Sequence, residues 1–219
     1  MVFVCAHGDL FHESVPDEWI DKVFAVMALA EWHTFQVLTK RATRMREYFE
    51  HPLREALIGR EIGRLQLERT AMRVVTWSGL PLPNVWLGIS AENQKHADER
   101  IPHLLSTPAS LHFLSAEPLL GPIDSLIVQL LRGGKLSWVI AGGESGPNAR
   151  PMHPDWARGL RDRCQAAGVP FFFKQWGEWI ESDIDGLPVR LLAREGDPEF
   201  CAAGATMDGF LCVDGRFAS

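Results

Sequence analysis

The stretch Asn84-Val85-Trp86-Leu87-Gly88-Ile89-Ser90-Ala91-Glu92-Asn93 is an apolar run that ends in polar residues. Its short length and its β-branched and aromatic side chains predict a buried strand over residues 84–90. Five other runs have the same character, and they are residues 2–7, 34–39, 110–115, 136–141 and 169–174. Segments with helical periodicity separate these runs, so the chain alternates between strand and helix.

The helical segments determine how the strands are connected. They are residues 17–30, 43–75 (split at Pro52), 95–105 (shortened by Pro102), 124–132 and 154–167. A repeated strand–helix alternation predicts parallel strands joined by right-handed crossovers. The sequence therefore predicts an α/β fold, and both an open doubly wound sheet and a barrel are compatible with it.

Composition narrows the class of protein. The chain has 219 residues, of which 46% are hydrophobic and 23% charged, with a formal net charge of −6. These values are typical of a globular protein and exclude a global basic field for binding nucleic acid. No apolar run is long enough for a membrane span, and no signal peptide is expected at the start. Four irregularly spaced cysteines favour a reducing, cytoplasmic location. We expect a core over residues 1–179 and a loop- and hairpin-rich appendage over 180–219.

Polar residues collect at the carboxyl end of each predicted strand. They are His7 and Asp9, Lys40 and Arg41, Ser90 and Glu92, Ser115 and Glu117, Glu144 and Ser145, and Lys174 and Gln175. In parallel α/β folds, ligands bind at this edge because the strand–helix loops converge there. Helix capping is the alternative, but cations such as Lys40 and Lys174 oppose the dipole at a helix start.

The side chains at this edge suit an anionic or zwitterionic ligand. Carboxylates or phosphates would be bound by the cationic residues Lys40, Arg41 and Lys174. Amines or ribose hydroxyls would be bound by the acidic residues Glu92, Glu117 and Glu144. The pair Gly142-Gly143 allows a backbone to approach a flat ligand closely, although a tight turn explains it equally well.

Two other constellations have alternative interpretations. His7, Asp9 and His12 could hold a metal ion for a hydrolase, or they could form an ordinary polar loop. Cys5 could act as a nucleophile with His7 as its base, although cysteines on buried strands are usually inert. No metal site is assigned on this basis.

The strand ends together carry a resemblance to a known family. The motifs are Asp9-Leu10-Phe11-His12, Val15-Pro16-Asp17-Glu18, Phe35-Gln36-Val37-Leu38-Thr39-Lys40-Arg41, residues 84–93, Phe113-Leu114-Ser115-Ala116-Glu117-Pro118-Leu119-Leu120-Gly121, Gly142-Gly143-Glu144-Ser145-Gly146 and Phe171-Phe172-Phe173-Lys174-Gln175-Trp176-Gly177-Glu178. In this order, over residues 2–179, the chain resembles a phage- and prophage-borne family of unknown function. That family is similar to radical S-adenosylmethionine enzymes and distantly to spore photoproduct lyase.

The resemblance implies a fold, a cofactor and site residues. The implied fold is a partial (β/α)6 TIM-like barrel of the radical S-adenosylmethionine type, missing its first strand. S-adenosylmethionine would lie across the strand ends, with Asp9 near the methionine amine and Ser90 near the ribose or carboxylate. Gly142 and Gly143 would lie near the adenine. Further cofactor contacts are expected from Glu92 and Glu144, and the substrate-side catalytic residues would be Lys40, Glu117 and Lys174.

The chain departs from the resembled family in one respect. Relatives carry a loop with three cysteines that ligate a [4Fe–4S] cluster, whereas the cysteines here lack that close spacing; they are Cys5, Cys164, Cys201 and Cys212. As written, the chain therefore does not ligate the cluster. Three explanations stay open: a gene start assigned too late, a missing half supplied by another polypeptide, and a barrel that has lost its chemistry.

Two functions follow from the departure. The first is a phage or mobile-element domain derived from an enzyme of radical modification or repair, with nucleic acid as the implied substrate. The second is a non-catalytic protein-binding module, for example a factor acting against host defence. The predicted strand from Val2 to His7 would be an exposed edge, able to pair with a partner or with a second copy.

Overall fold

The computed structural model describes residues 1–68, 78–125, 136–181, 188–190, 211–213 and 216–218. The helices are α1 (Asp17–Leu29), α2 (Ala42–Glu50), α3 (Arg54–Leu67), α4 (Gln94–Ser106) and α5 (Pro154–Ala166). The strands are β1 (Val2–Val4), β2 (Phe35–Thr39), β3 (Val85–Ser90), β4 (Leu111–Ala116), β5 (Leu136–Gly142), β6 (Phe171–Gln175), β7 (Trp179–Glu181), β8 (Pro188–Arg190), β9 (Leu211–Val213) and β10 (Arg216–Ala218).

Six strands form one sheet, in the order β1-β2-β3-β4-β5-β6. The pairs β1–β2, β2–β3 and β5–β6 are parallel. Helices connect most successive strands in the described part of the chain, so the predicted α/β fold is confirmed. Two small antiparallel sheets, β7–β8 and β9–β10, lie in the carboxyl-terminal part, where a hairpin was predicted.

Strand β1 is shorter than the predicted run over residues 2–7. It ends at Val4 because Cys5 adopts a left-handed conformation with φ of 56°. A non-glycine residue rarely adopts this conformation, which turns the chain out of the strand direction. The amide of Gly8 then donates to the Cys5 carbonyl at 3.0 Å and closes a turn. The exposed edge is therefore only three residues long.

Helix α4 contradicts the expectation that Pro102 shortens it. The helix spans Gln94–Ser106, with Pro102 inside it. A proline removes one helical hydrogen bond and favours a kink. Buried neighbours, Ile101 and Leu104, hold the helix to the core on both sides of the proline. Pro52 does separate α2 from α3 as predicted, and the segment over residues 124–132 lies mostly outside the described residues.

The chain divides into two compact units. Unit 1 comprises Met1–Ile89 and Arg100–Phe113, and unit 2 comprises Ser90–Glu99 and Leu114–Ser219. In unit 1, α1 packs against α3, and the rings of Phe24 and Phe49 meet edge to face at 5.2 Å. Fully burying a large apolar side chain contributes about 1.5–3 kcal/mol, so such contacts account for the amphipathic pattern of α1.

Unit 2 is built around β5 and β6. Helix α5 packs against both strands, and its Leu160 and Cys164 are fully buried. Pro154 opens this helix, and the His153 ring accepts a hydrogen bond from the Asp155 amide at 3.2 Å. Strand β10 packs against β6. No helix among the described residues has the length and apolar character needed to cross a membrane.

Candidate functional site

The carboxylate of Asp9, in unit 1, anchors the loop that follows β1. One oxygen accepts hydrogen bonds from the Phe11 amide at 2.9 Å and the Thr39 hydroxyl at 2.7 Å. The other accepts from the Lys40 amide at 3.0 Å and the Arg41 guanidinium at 3.1 Å. A carboxylate offers about four acceptor positions, so these bonds use its capacity. Asp9 thus connects this loop to the end of β2. To make its predicted contact with an amine, Asp9 would have to lose one of these four hydrogen bonds.

The remaining polar groups of this loop do not assemble a metal centre. His12 contacts the Ser14 hydroxyl at 2.8 Å through Nδ1. Glu13 pairs with Arg41 at 3.4 Å, and its pKa is lowered by a hydrogen bond from its own backbone and by the Arg41 charge. Within the described residues, no three His, Cys, Asp or Glu side chains are placed to hold a metal ion. The alternative of a metal site at His7, Asp9 and His12 therefore has no geometric support.

A buried ion network lies behind this loop in unit 1. Arg54, whose side chain is 3% exposed, donates to Asp21 at 2.7 Å and to Asp17 at 2.6 Å. The Tyr48 hydroxyl donates to Asp21 at 2.7 Å, and the Arg54 guanidinium stacks 3.7 Å above the Tyr48 ring. Burial and the bond to Asp21 raise the pKa of Tyr48. These contacts join α1, α2 and α3, and sequence reasoning did not find them.

In unit 2, Glu117 and Lys174 form an ion pair at the carboxyl ends of β4 and β6. Glu117 Oε1 lies 3.1 Å from Lys174 Nζ, and Glu117 also accepts a bond from the Ser115 hydroxyl at 3.2 Å. The lysine side chain is 44% exposed and the glutamate 19% exposed. A Cβ on Gly142 would lie only 2.8 Å from Glu117 Oε1. The absence of a side chain at Gly142 thus provides the space for the Glu117 carboxylate.

Gly143 has a different neighbour from Gly142. A Cβ at Gly143 would overlap the backbone carbonyl oxygen of Trp176, and the Gly143 amide donates to the Gln175 carbonyl at 2.8 Å. A Cβ at Gly177, whose φ is +81°, would likewise overlap the backbone carbonyl oxygen of Glu144. Gly143 is therefore required for close approach between two segments of this chain. That packing explains it without a ligand, and its predicted place near an adenine remains a prediction.

Glu144 is held in the loop between β5 and α5. Its two oxygens accept bonds from the Arg150 amide at 2.8 Å and from the Arg150 guanidinium at 2.8 and 2.7 Å. The hydrogen bond to Glu144 raises the pKa of Arg150. The Glu178 carboxylate accepts a bond from the Gly146 amide at 3.1 Å, and the Trp179 indole donates to the Ala149 carbonyl at 2.8 Å. This loop is thus fastened at several points, and Glu144 is one of its anchors.

Ser90 and Glu92 are both buried, each with 5% exposure. Glu92 Oε2 lies 2.8 Å from Nδ1 of His96, an ion-pair distance, although the ring N–H is not aligned for a hydrogen bond. The Glu92 carbonyl accepts a bond from the Leu120 amide at 2.7 Å, which fixes the backbone here. Sequence reasoning missed His96, and the available signal was its spacing of four residues from Glu92.

The cysteines provide no triad of thiolates within the described part of the chain. Cys5 is exposed, and Cys164 is buried on α5. Burial raises the pKa of the Cys164 thiol to about 12, which keeps it protonated. Cys201 lies outside the described residues, as does the side chain of Cys212. These residues do not fit a [4Fe–4S] cluster held by three close thiolates.

The predicted site residues divide between the two units. Unit 1 contains Asp9 and Lys40. Unit 2 contains Ser90, Glu92, Glu117, Gly142, Gly143, Glu144 and Lys174. Within unit 2, the geometry directly joins Glu117, Lys174 and Gly142. It assigns Glu92 and Glu144 to separate ion pairs.

Comparison with known proteins places the chain in a family. Searches of curated proteins and of solved structures found none. A family model does match, over residues 1–212, and its description is "Protein of unknown function (DUF5131)". Because the match spans nearly the whole sequence, the chain belongs to this family.

Proposed function

We propose that this chain is a radical-S-adenosylmethionine-like domain of phage or mobile-element origin, with a partial (β/α)6 barrel fold and a cytoplasmic location. It binds S-adenosylmethionine at the carboxyl ends of its strands and has no cluster ligands of its own among the described residues. The observation that carries this proposal is the partly exposed Glu117–Lys174 ion pair over Gly142.

The ion pair suits the amino-acid group of the cofactor. That group carries an ammonium and a carboxylate, which are complementary to Glu117 and Lys174 respectively. Because Lys174 is 44% exposed, its ammonium can turn from Glu117 toward a ligand without unfolding the strand end. Hydrogen bonds to charged groups contribute about 1.5–3 kcal/mol each, so the ligand replaces one exposed ion pair with two charge-assisted contacts.

Other residues of unit 2 support the same site in this proposal. Ser90 offers a hydroxyl to the ribose or carboxylate, and Glu92 and Glu144 contribute negative potential that favours a sulfonium cation. Bound S-adenosylmethionine would supply an activated sulfonium carbon for group transfer or cleavage. The described residues do not fit a [4Fe–4S] cluster, so no radical step is derived. Asp9 and Lys40 keep their assigned roles as predictions.

Calorimetric titration of S-adenosylmethionine tests the proposal. We expect micromolar binding, about −8 kcal/mol, which Lys174→Met and Glu117→Gln each weaken about tenfold or more. Lys95→Met is the matched control because Lys95 forms an exposed ion pair with Glu99 at 3.9 Å. Exposed pairs contribute only about 0–1 kcal/mol, so all three variants should stay folded.

Two results would contradict the proposal. The first is an absence of saturable binding to the folded chain, and the second is equal affinity of the wild type and both site variants. S-adenosylhomocysteine, which keeps the amino-acid group but lacks the sulfonium charge, separates the two parts of the site. Retention of its binding would assign the affinity to Glu117 and Lys174 rather than to the sulfonium.

A second candidate function is supported by the edge strand β1. Val2 and Phe3 are 40% and 45% exposed, and β1 ends the order of the sheet. The Val2 amide donates to the Thr34 carbonyl at 2.8 Å, on the side of β2. Because the backbone groups of successive residues point to opposite sides of a strand, the N–H and C=O of Phe3 point toward the open edge. An extended segment of a partner protein could add to this edge, as the protein-binding alternative requires.

Paired variants at one residue test this second candidate. Phe3→Pro removes the outward amide, whereas Phe3→Ala removes only the ring. If a partner, or a second copy, pairs with the edge, association measured by light scattering or pull-down should fail with proline and persist with alanine. Equal behaviour of both variants would argue against strand addition.

A further inference from the structure

Gln36 has a buried side-chain nitrogen that no residue in the described part of the chain pairs with. The residue is the second of the five residues of β2 and is 8% exposed. Its side-chain nitrogen is buried and has no hydrogen-bond partner among the residues that the structure describes. Leaving a buried polar group unpaired costs about 1–3 kcal/mol, and most such groups in native proteins are paired. A glutamine retained at this cost indicates a partner from outside the fold.

The strand register shows what surrounds this amide. Gln36 is paired in register with Phe3 on β1 and with Trp86 on β3. Residues in register on parallel strands lie on one face of the sheet, so an aromatic residue flanks Gln36 on each side. Phe3 is 45% exposed and Trp86 is half-buried. The amide is therefore placed between two aromatic side chains that retain solvent access.

The same face is closed at one end. Leu38, the next residue of β2 on this face, pairs with Gly88, and the Phe113 ring fills the space where a Gly88 side chain would lie. All of these residues belong to unit 1. Among the residues that the structure describes, the register thus surrounds Gln36 on this face with aromatic and apolar neighbours. Ligand sites commonly combine an apolar lining with a few placed polar groups.

We propose that Phe3, Gln36 and Trp86 form a binding site for a flat heteroaromatic ring of the adenine type. A glutamine amide pairs through two bonds with the adjacent donor and acceptor on an adenine edge. Two strand spacings separate Phe3 from Trp86, about 9.5 Å between their backbones. That distance leaves room for one stacked ring between two aromatic side chains, once the exposed Phe3 turns outward. Neither the Glu117–Lys174 pair nor S-adenosylmethionine enters this proposal.

The ring can come from a free nucleoside or from an unpaired base in a single strand. Adenosine followed by saturation-transfer NMR tests the first source, and a fluorescein-labelled hexamer of deoxyadenosine followed by anisotropy tests the second. We expect wild-type binding of at least one probe, weakened tenfold or more by Gln36→Leu and also by Phe3→Ala. Gln165→Leu, at an exposed glutamine of α5, is the matched control and should leave binding unchanged. Purine riboside, which lacks the exocyclic amine, should bind more weakly than adenosine.

Urea unfolding of the same variants separates a ligand site from a structural role. Because the Gln36 side-chain nitrogen has no partner among the described residues, it adds no hydrogen-bond stability there, and Gln36→Leu should unfold at the same or a higher urea concentration than the wild type. A clear decrease relative to Gln165→Leu would show that the fold itself satisfies the amide, and this would overturn the proposal. Failure of both probes to bind the folded wild type, or equal binding by Gln36→Leu, would also overturn it.

Discussion

Replacing each of two adjacent glycines by alanine should have very different consequences. At Gly142 the new Cβ would lie 2.8 Å from the Glu117 carboxylate oxygen, which is the far end of a flexible side chain. At Gly143 it would overlap the Trp176 carbonyl oxygen, which belongs to the backbone. A side chain can rotate away at small cost, whereas a backbone segment moves only with its neighbours. Gly142→Ala should therefore impair the ion pair, and Gly143→Ala should impair the fold.

The structure sets the size of each effect. Displacing Glu117 breaks a partly exposed ion pair, which contributes about 0–1 kcal/mol to the free energy of unfolding. Alanine offsets part of this loss because it restricts the conformations of the unfolded chain. Gly142→Ala should thus change the free energy of unfolding by less than about 1 kcal/mol. Overpacking at Gly143 costs about 1–3 kcal/mol, and strain on its hydrogen bond to Gln175 adds about 1 kcal/mol. Gly143→Ala should lose about 2–4 kcal/mol.

Urea unfolding followed by circular dichroism measures both free energies, and titration of S-adenosylmethionine measures the site. We expect Gly142→Ala to retain its unfolding midpoint and to bind about tenfold more weakly, since Glu117 no longer reaches its position. Equal loss of stability in the two variants would refute the packing argument. Full stability together with full binding in Gly142→Ala would refute the role assigned to Glu117. The stability comparison remains decisive even if the cofactor does not bind.

Four further predictions concern the buried and anchoring groups. Arg54→Met leaves Asp21 buried without its cation, so it should cost about 3–5 kcal/mol in urea unfolding, and a neutral effect would contradict the network. Asp9→Ala should cost about 1–3 kcal/mol because four donors lose their acceptor, and an unchanged unfolding midpoint would contradict its anchoring role. Cys164, with a pKa of about 12, should be alkylated far more slowly than Cys5 at about pH 8, as measured by peptide mass spectrometry; equal rates would contradict its burial. Because that raised pKa lets the unfolded thiol ionise first, stability should fall as pH rises from 9 toward about 12, and Cys164→Ala should lack this component.

The sheet could be predicted from the sequence because each of its strands is a short apolar run with a polar end. Five of the six predicted runs correspond closely to the observed strands, as residues 84–90 do to Val85–Ser90. The first run failed at its end, where Cys5 adopts a positive φ. Apolar character does not encode that conformation, and cysteine has no preference for it. The sequence therefore predicted that each strand exists, but it did not predict the length of β1.

Helix boundaries followed local chemistry, with one exception. Pro16 and two acidic residues mark the start of α1, which spans Asp17–Leu29 against a prediction of 17–30. Pro102 has the same local signal as any helix-breaking proline, yet α4 continues through it. Whether the helix continues through Pro102 depends on the burial of Ile101 and Leu104, which is a property of the tertiary structure. A rule based on neighbouring residues could not have predicted it.

The candidate site shows why polar strand ends alone do not define a ligand site. Loops at this edge need anchors, and an anchor uses the same carboxylates as a ligand site. Asp9 is occupied by Arg41 and backbone amides, and Glu144 is occupied by Arg150. These partner residues are brought to the carboxylates by the folding of the loops. The sequence alone therefore did not predict which carboxylates would be occupied.

The carboxylates at the strand ends differ in how much interaction energy they would lose on binding a ligand. A carboxylate with several internal donors must surrender them to bind a ligand, so much of the binding energy is cancelled by the bonds lost. An ion pair joined by one contact, with its cation 44% exposed, loses little interaction energy when a ligand replaces that contact. Glu117 and Lys174 meet this condition, because Gly142 gives the carboxylate its space and β6 directs the lysine toward it. The opposite case is Gln36, whose buried side-chain nitrogen has no hydrogen bond to lose among the described residues, so a ligand that bonds to it would gain a contact without breaking one.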